Sequence, residues 1–101
     1  HFILLCKCLS AKTRAHVFIK GKVQGVYFRQ NFRVVAKRHK VNGWVRNLKD
    51  GRVEAVLEGD ERQVSEVIEW CHAGPSEARV DDVSVQHEPH TGEFTSFKVL
   101  Y

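Results

Sequence analysis

Residues 15–36 read AHVFIKGKVQGVYFRQNFRVVA, and the hydrophobic period changes once along them. Ala15, Val17 and Ile19 recur at every second residue, the pattern of a half-buried strand, and Gly21 is expected to end that run. Phe28, Phe32, Val35 and Ala36 fall at i, i+4, i+7 and i+8, which is one face of a helix running from about Tyr27 to about His39. The joint between the two periods is a short glycine-bearing loop. A strand that feeds a helix through so short a loop commits the chain to a βα unit.

Downstream the same alternation repeats. A strand is expected over Val41–Asn47, a turn at Leu48-Lys49-Asp50-Gly51, and a returning strand over Arg52–Glu58, because Asp-Gly between two alternating runs is a hairpin signal. Gly59 and Asp60 are expected to open a second helix whose apolar face is Val64, Val67, Ile68 and Cys71, with Gly74-Pro75 stopping it. Val80, Val83 and Val85 mark a fourth strand, out of phase across Asp81-Asp82, and Phe97–Tyr101 a short last one. The order is β-α-β-β-α-β with an extra C-terminal strand. Right-handed crossovers then place both helices on one face of a mostly antiparallel sheet, giving an α/β two-layer sandwich of ferredoxin-like type. That fold hosts many functions and supplies none by itself.

At 101 residues the chain has room for one domain of ordinary globular composition, 43% hydrophobic and 28% charged. No apolar run approaches the roughly 18 residues of a membrane span, so no membrane partner is expected. Sixteen Lys and Arg against 12 Asp and Glu leave a net charge of +4, a mild preference for anions that is equally the sign of a plain solvated surface. Three cysteines with Cys6 and Cys8 far from Cys71 give no disulfide framework, which favours a reducing, cytoplasmic setting. The six histidines form no zinc-ligand spacing; His87 and His90 only flank Glu88-Pro89. Residues 1–13 differ in texture from the rest. A truncated signal peptide and a poorly ordered N-terminal extension are the alternatives, and the missing small-residue cleavage site favours the extension, leaving 14–101 as the domain.

Chemistry is concentrated in the loop from Gly21 to Arg29. It has two glycines, no proline and no acidic residue, and it ends at a helix N-terminus with unpaired N–H groups and partial positive charge. Such a loop can cradle an anion. Arg29 falls in the first helical turn, where a cation opposes the helix dipole, a placement that makes sense where an anion sits between guanidinium and amides. The alternative is that the glycines only turn the chain and Arg29 is solvated. The spacing is not that of a Walker A loop, since no Gly-Lys-Ser/Thr follows.

The run Gly-x-Val-Gln-Gly-Val-x-Phe-Arg at 21–29, then Gly43-Trp44-Val45-x-Asn47, Asp50-Gly51-x-Val53-Glu54, and Gly74-Pro75 with Ala78-Arg79-Val80, resembles the acylphosphatase family. The likeness runs from about residue 14 to the C-terminus. It implies hydrolysis of a small-molecule acyl phosphate, a carboxylic-phosphoric mixed anhydride, to a carboxylate and inorganic phosphate, with no metal, no cofactor and no covalent intermediate. Inorganic phosphate is then both product and inhibitor, and the enzyme is expected to be a monomer. The resemblance places the phosphate-binding loop on Val23, Gln24, Gly25, Val26, Tyr27 and Phe28, the phosphate-binding arginine on Arg29, and a water-positioning asparagine on Asn47. Tyr27 occupies a position that varies in the family. The chemistry suits these residue types: an activated anhydride needs positioning and charge stabilisation more than a strong base, and a neutral carboxamide can orient a water but cannot deprotonate it. By the same resemblance, the proton passes to a phosphate oxygen of the substrate. An asparagine beside a turn can equally be a hairpin cap.

Other notable residues read as structural: Trp44 as packing on the open face of the sheet, Trp70 as a packing or amphipathic surface residue near the end of the second helix, and His16 as a structural histidine beside Phe18. The carboxylates read as scattered over solvated faces, and no Ser-His-Asp or Cys-His set can be composed. An RNA-recognition module shares this order of elements but needs aromatics on its central strands, and Arg52–Glu58 has none and two glutamates, so no nucleic-acid partner is expected. Similar domains begin the carbamoyltransferases of hydrogenase maturation, where zinc-finger sequence follows; the stand-alone enzyme is the preferred reading.

Overall fold

The computed structural model describes residues 11–101. β1 (Lys12–Lys22) leads to α1 (Phe28–Arg38), then β2 (Asn42–Asn47), β3 (Val53–Asp60), α2 (Glu61–Ala73), β4 (Arg79–Glu88) and β5 (Phe97–Val99). The strands form one sheet in the order β4-β1-β3-β2-β5, antiparallel throughout except for the parallel β2–β5 pair. Each crossover therefore straddles one strand: β1-α1-β2 spans β3, and β3-α2-β4 spans β1. Both helices pack on the same face, as the crossover rule requires.

One core fills the space between the layers. Ala15, Val17 and Ile19 of β1, Val45 of β2, and Val53, Ala55 and Leu57 of β3 point to the helices, which answer with Phe28, Phe32, Ala36, Val64, Val67 and Cys71. Trp70 closes the helix–helix seam, its ring 5.3 Å from Phe28 and 5.7 Å from Phe32. Phe32 stacks on Phe97 at 5.4 Å, which fastens the short edge strand β5 to α1. Trp70 is thus a packing residue, and Trp44, on the other face, lies under the Arg46 guanidinium at 5.2 Å.

Several expectations need correction. Gly21 does not end β1, which continues to Lys22; the β1–β4 register slips between Lys20 and Gly21, leaving Asp81 as the extra residue of a bulge. That bulge is the physical cause of the phase break at Asp81-Asp82, and a Cβ at Gly21 would lie 2.1 Å from the Arg79 carbonyl oxygen. Gly59 lies in β3, while Asp60 both ends β3 and stands at the N-cap of α2, as expected, though its side chain caps nothing and pairs with Lys12 at 2.8 Å. β1 starts at Lys12, so the end of the segment read as an extension is strand; the rest of that expectation, including Cys6 and Cys8, lies on residues 1–10, outside the described residues.

The carboxylates of β3 are not on a solvated face. Glu54 and Glu58 are buried on the side of the sheet away from the helices. Glu54 accepts from His16 Nε2 and Arg46 Nε, both at 2.6 Å. Glu58 accepts from the Thr91 N–H and hydroxyl at 2.9 Å, from the Gly92 N–H at 3.1 Å and from Arg14 at 3.1 Å, which draws the segment after β4 across the sheet. Burial would raise both carboxyls, but these hydrogen bonds outweigh it and hold each below the ordinary glutamate value. His16 is structural, its ring paired with Glu54 and tilted 30° against Phe18 at 4.7 Å.

Candidate active site

The β1–α1 loop is pinned by its apolar side chains and open along its backbone. Val23 and Val26 are buried, and Phe28 anchors the first turn of α1 in the core. Between them Gly25 has φ +77° and Tyr27 φ +59°, both in the left-handed region. Glycine adopts that conformation without strain; for Tyr27 it costs about 1 kcal/mol or more, a strain of the kind that functional loops hold. Among the described residues, no backbone N–H of 23–27 donates to another backbone or side-chain group of the protein. The first turn of α1 adds its own unpaired amides and contains no acidic residue.

This loop forms one wall of a cleft of about 320 Å³ lined by Val23, Gly25, Tyr27, Phe28, Arg29, Gln30 and Asn47. β2 supplies the opposite wall. Asn47 is its last residue and shares the helix-side face with the buried Val45, whereas Arg46 points to the other face, toward Glu54. The alternation that buries Val45 thus aims the Asn47 side chain at the N-terminal end of α1.

Arg29 makes no ion pair among the described residues. Its Nη1 donates to the Leu100 carbonyl at 3.0 Å, and its guanidinium lies 4.8 Å from the centre of the Tyr101 ring. Four N–H groups of the fork remain for a ligand. Asn47 Oδ1 is buried and has no hydrogen-bond partner among the described residues. The hairpin is closed without it: Leu48 N–H donates to the Arg52 carbonyl at 2.8 Å, Gly51 N–H to Leu48 at 3.2 Å, and the Arg52 N–H to Asp50 Oδ1 at 3.1 Å. A capping role for Asn47 therefore has no bond to support it.

The cleft brings together Val23, Gly25, Tyr27, Phe28, Arg29 and Asn47 of the residues singled out from the sequence. Val26 lies beneath it in the core, and the Gln24 side chain turns away to the hairpin, donating to Leu48 and Arg52 carbonyls at 2.7 and 3.0 Å. What Gln24 and the buried valines can offer an anion is their backbone N–H. Sequence reasoning missed Gln30, one residue past the arginine in the same helical turn, and the Leu100-Tyr101 pair that holds Arg29. Unpaired amides, an uncompensated guanidinium and an orphan carboxamide in one cleft can hold a tetrahedral oxyanion and a water beside it.

Comparisons with known proteins show the family to which the chain belongs. A family model described as acylphosphatase matches residues 15–99. The acylphosphatase of Syntrophus aciditrophicus is 56% identical over 88 residues, covering 87% of this chain and 92% of that protein. The acylphosphatase of Pyrobaculum aerophilum is 59% identical over 88 residues, covering 86% of this chain and 93% of its own. Among solved structures, an acylphosphatase from Coxiella burnetii superimposes with a TM-score of 0.84 at 36% identity, over 88% of this chain and 93% of that one. On the family model and the identity to these relatives, the chain belongs to the acylphosphatase family.

Proposed function

We propose that the chain hydrolyses small acyl phosphates in the cleft between the β1–α1 loop and the end of β2, with the following division of labour. The N–H groups of residues 23–28 and the free prongs of Arg29 hold the non-bridging phosphoryl oxygens and stabilise them as charge redistributes. The Asn47 carboxamide orients a water for in-line attack on phosphorus. The water oxygen forms the new P–O bond, the bridging P–O bond breaks, and the carboxylate departs with the electron pair. A water proton passes to a phosphoryl oxygen of the substrate, so the protein needs no general base. Arg29 and the amides take the charge-stabilising part a divalent cation would otherwise play, and the reaction runs without metal or cofactor.

The observation that carries this reading is the meeting, in one cleft, of an arginine and an asparagine oxygen that have, among the described residues, no carboxylate partner and no hydrogen-bond partner respectively. Inorganic phosphate fits the same donors, so it is a competitive inhibitor as well as the product. The proposed cleft draws on a single chain for its arginine, its asparagine and its loop, so turnover needs no second copy and the proposed active form is a monomer. A cytoplasmic setting accords with a cysteine usage that offers no disulfide framework.

The test is release of carboxylate from a generic acyl phosphate with EDTA present and absent, and with inorganic phosphate added. Turnover unaffected by EDTA and competitive inhibition by phosphate are expected. Activity lost in EDTA and restored by zinc or magnesium would overturn the metal-free mechanism.

A further inference from the structure

The Gln24 carboxamide is committed to the hairpin that carries Asn47. Its nitrogen donates both hydrogens, to the Leu48 carbonyl at 2.7 Å and the Arg52 carbonyl at 3.0 Å. Those two residues also close the turn, Leu48 N–H donating to Arg52 at 2.8 Å, so one side chain of the phosphate loop grips both ends of the turn. Asn47 is the residue immediately before Leu48, and its Cα pairs with Val53, immediately after Arg52. Asn47 makes no side-chain hydrogen bond of its own among the described residues, and its Oδ1 is unpartnered. Its place relative to the loop therefore depends on backbone, and Gln24 ties that backbone to the loop.

We infer that Gln24 is a positioning residue, whose carboxamide fixes the separation between the amides that hold the phosphoryl group and the Asn47 carboxamide that orients water. This rests on the proposed role of Asn47. The consequence is specific. Losing the tie leaves the loop able to bind phosphate, since Val23 and Val26 still anchor it, but misplaces the water. A misplacement of the order of 1 Å at a reacting group costs about 10²-fold in rate.

The experiment is a double-mutant cycle of Gln24→Met and Asn47→Ala, reading kcat on a generic acyl phosphate, the inhibition constant for inorganic phosphate, and Tm. Methionine keeps the length of glutamine and removes both donors. Gln24→Met is expected to lose about 10- to 100-fold in kcat with little change in phosphate inhibition. In the Asn47→Ala background the same substitution should change kcat by less than about twofold, because no carboxamide remains to misplace. Losses that multiply in the double variant, unchanged kcat in Gln24→Met, or phosphate binding weakened as much as kcat would each overturn the inference while leaving the proposed function standing. Wild-type kcat in Asn47→Ala would instead remove the role of Asn47, and this inference with it. Should Gln24→Met fail to fold, Gln24→Asn, which keeps an amide one methylene shorter, runs the same cycle under the same criteria.

Discussion

Arg29 Nη1 lies 3.0 Å from the carbonyl oxygen of Leu100, a residue 71 positions later in the chain. Leu100 is placed by its own N–H, which donates to Val45 of β2 at 2.8 Å and prolongs the β2–β5 pairing by one step. One edge of the guanidinium is thereby fixed to the same strand that ends in Asn47. The two side chains of the proposed site share a frame, although one belongs to a helix and the other to a strand.

Arg29→Ala is expected to abolish phosphate binding and to lower kcat/KM by about 10²- to 10³-fold or more, as for loss of a preorganised charge donor. Arg29→Lys should not rescue it, since an ammonium cannot keep one contact to Leu100 and offer a planar fork to the phosphoryl group. Tm should stay within a few degrees of wild type, because a first-turn arginine opposes the helix dipole and adds nothing to the core. Phosphate inhibition and a thermal melt on each variant check this; near-wild-type catalysis would place the cradle elsewhere.

Tyr101→Ala tests the clamp without touching the fork. A guanidinium over an exposed aromatic ring contributes about 0.5–1 kcal/mol, so a loss of about two- to fivefold in kcat/KM is expected. In an Arg29→Ala background the Tyr101 substitution should have no further effect. A loss that persists there would mean that Tyr101 acts on the substrate directly.

The contrast between these residues shows what could be read in advance. Phe28, Phe32 and Ala36 announced a helix because their partners are set by a local period, and all three are buried. The loop from Val23 to Arg29 pointed to the proposed anion site through what it lacks, namely acids and proline. Leu100 and Tyr101 could not be recognised, because nothing local distinguishes a strand end from an arginine clamp until the β2–β5 register exists. Glu54 and Glu58 were misread for the same reason. Period 2 puts them opposite the core, and only the pairing of β3 with β1 and β2 brings His16, Arg14 and Arg46 to bury them. The Asp81 bulge left a trace in the valine phase, but its partner Gly21 read as a strand end.

Those buried carboxylates predict an acid limit to stability. Both have folded-state pKa values held below the ordinary value of 4.5, so each contributes stability that is fully present above the unfolded pKa and is lost as pH falls through the folded one. Thermal melts should therefore be flat from neutral pH down to about 5 and fall below about 4.5 as the carboxylates of the folded state take up protons. Glu58→Ala takes from Arg14 one of its three carboxylate partners, leaving Glu88 at 3.0 Å and Glu93 at 3.1 Å, and frees the Thr91 and Gly92 amides; losing the buried acceptor of these hydrogen bonds costs about 2–3 kcal/mol, and Tm should drop by about 10 °C at neutral pH. The variant should also show a shallower acid limb than wild type. An unchanged acid limb would mean that other groups set it.

Asn47→Ala separates chemistry from binding and from folding. If the carboxamide orients the attacking water, kcat should fall by about 10²- to 10³-fold while the inhibition constant for phosphate barely changes, because the amides and Arg29 hold that ion without it. Asn47→Asp should also be poor, since a carboxylate facing the phosphoryl group would repel it. The hairpin makes the opposite forecast testable on the same preparation. An asparagine that capped the turn would, when replaced by alanine, lower Tm and leave kcat nearly intact. The turn is closed by Leu48, Asp50 and Arg52, with no bond from Asn47 among the described residues, so Tm is expected to hold. An Asn47→Ala protein that melts early yet turns over at the wild-type rate would take Asn47 out of the mechanism and return it to the hairpin.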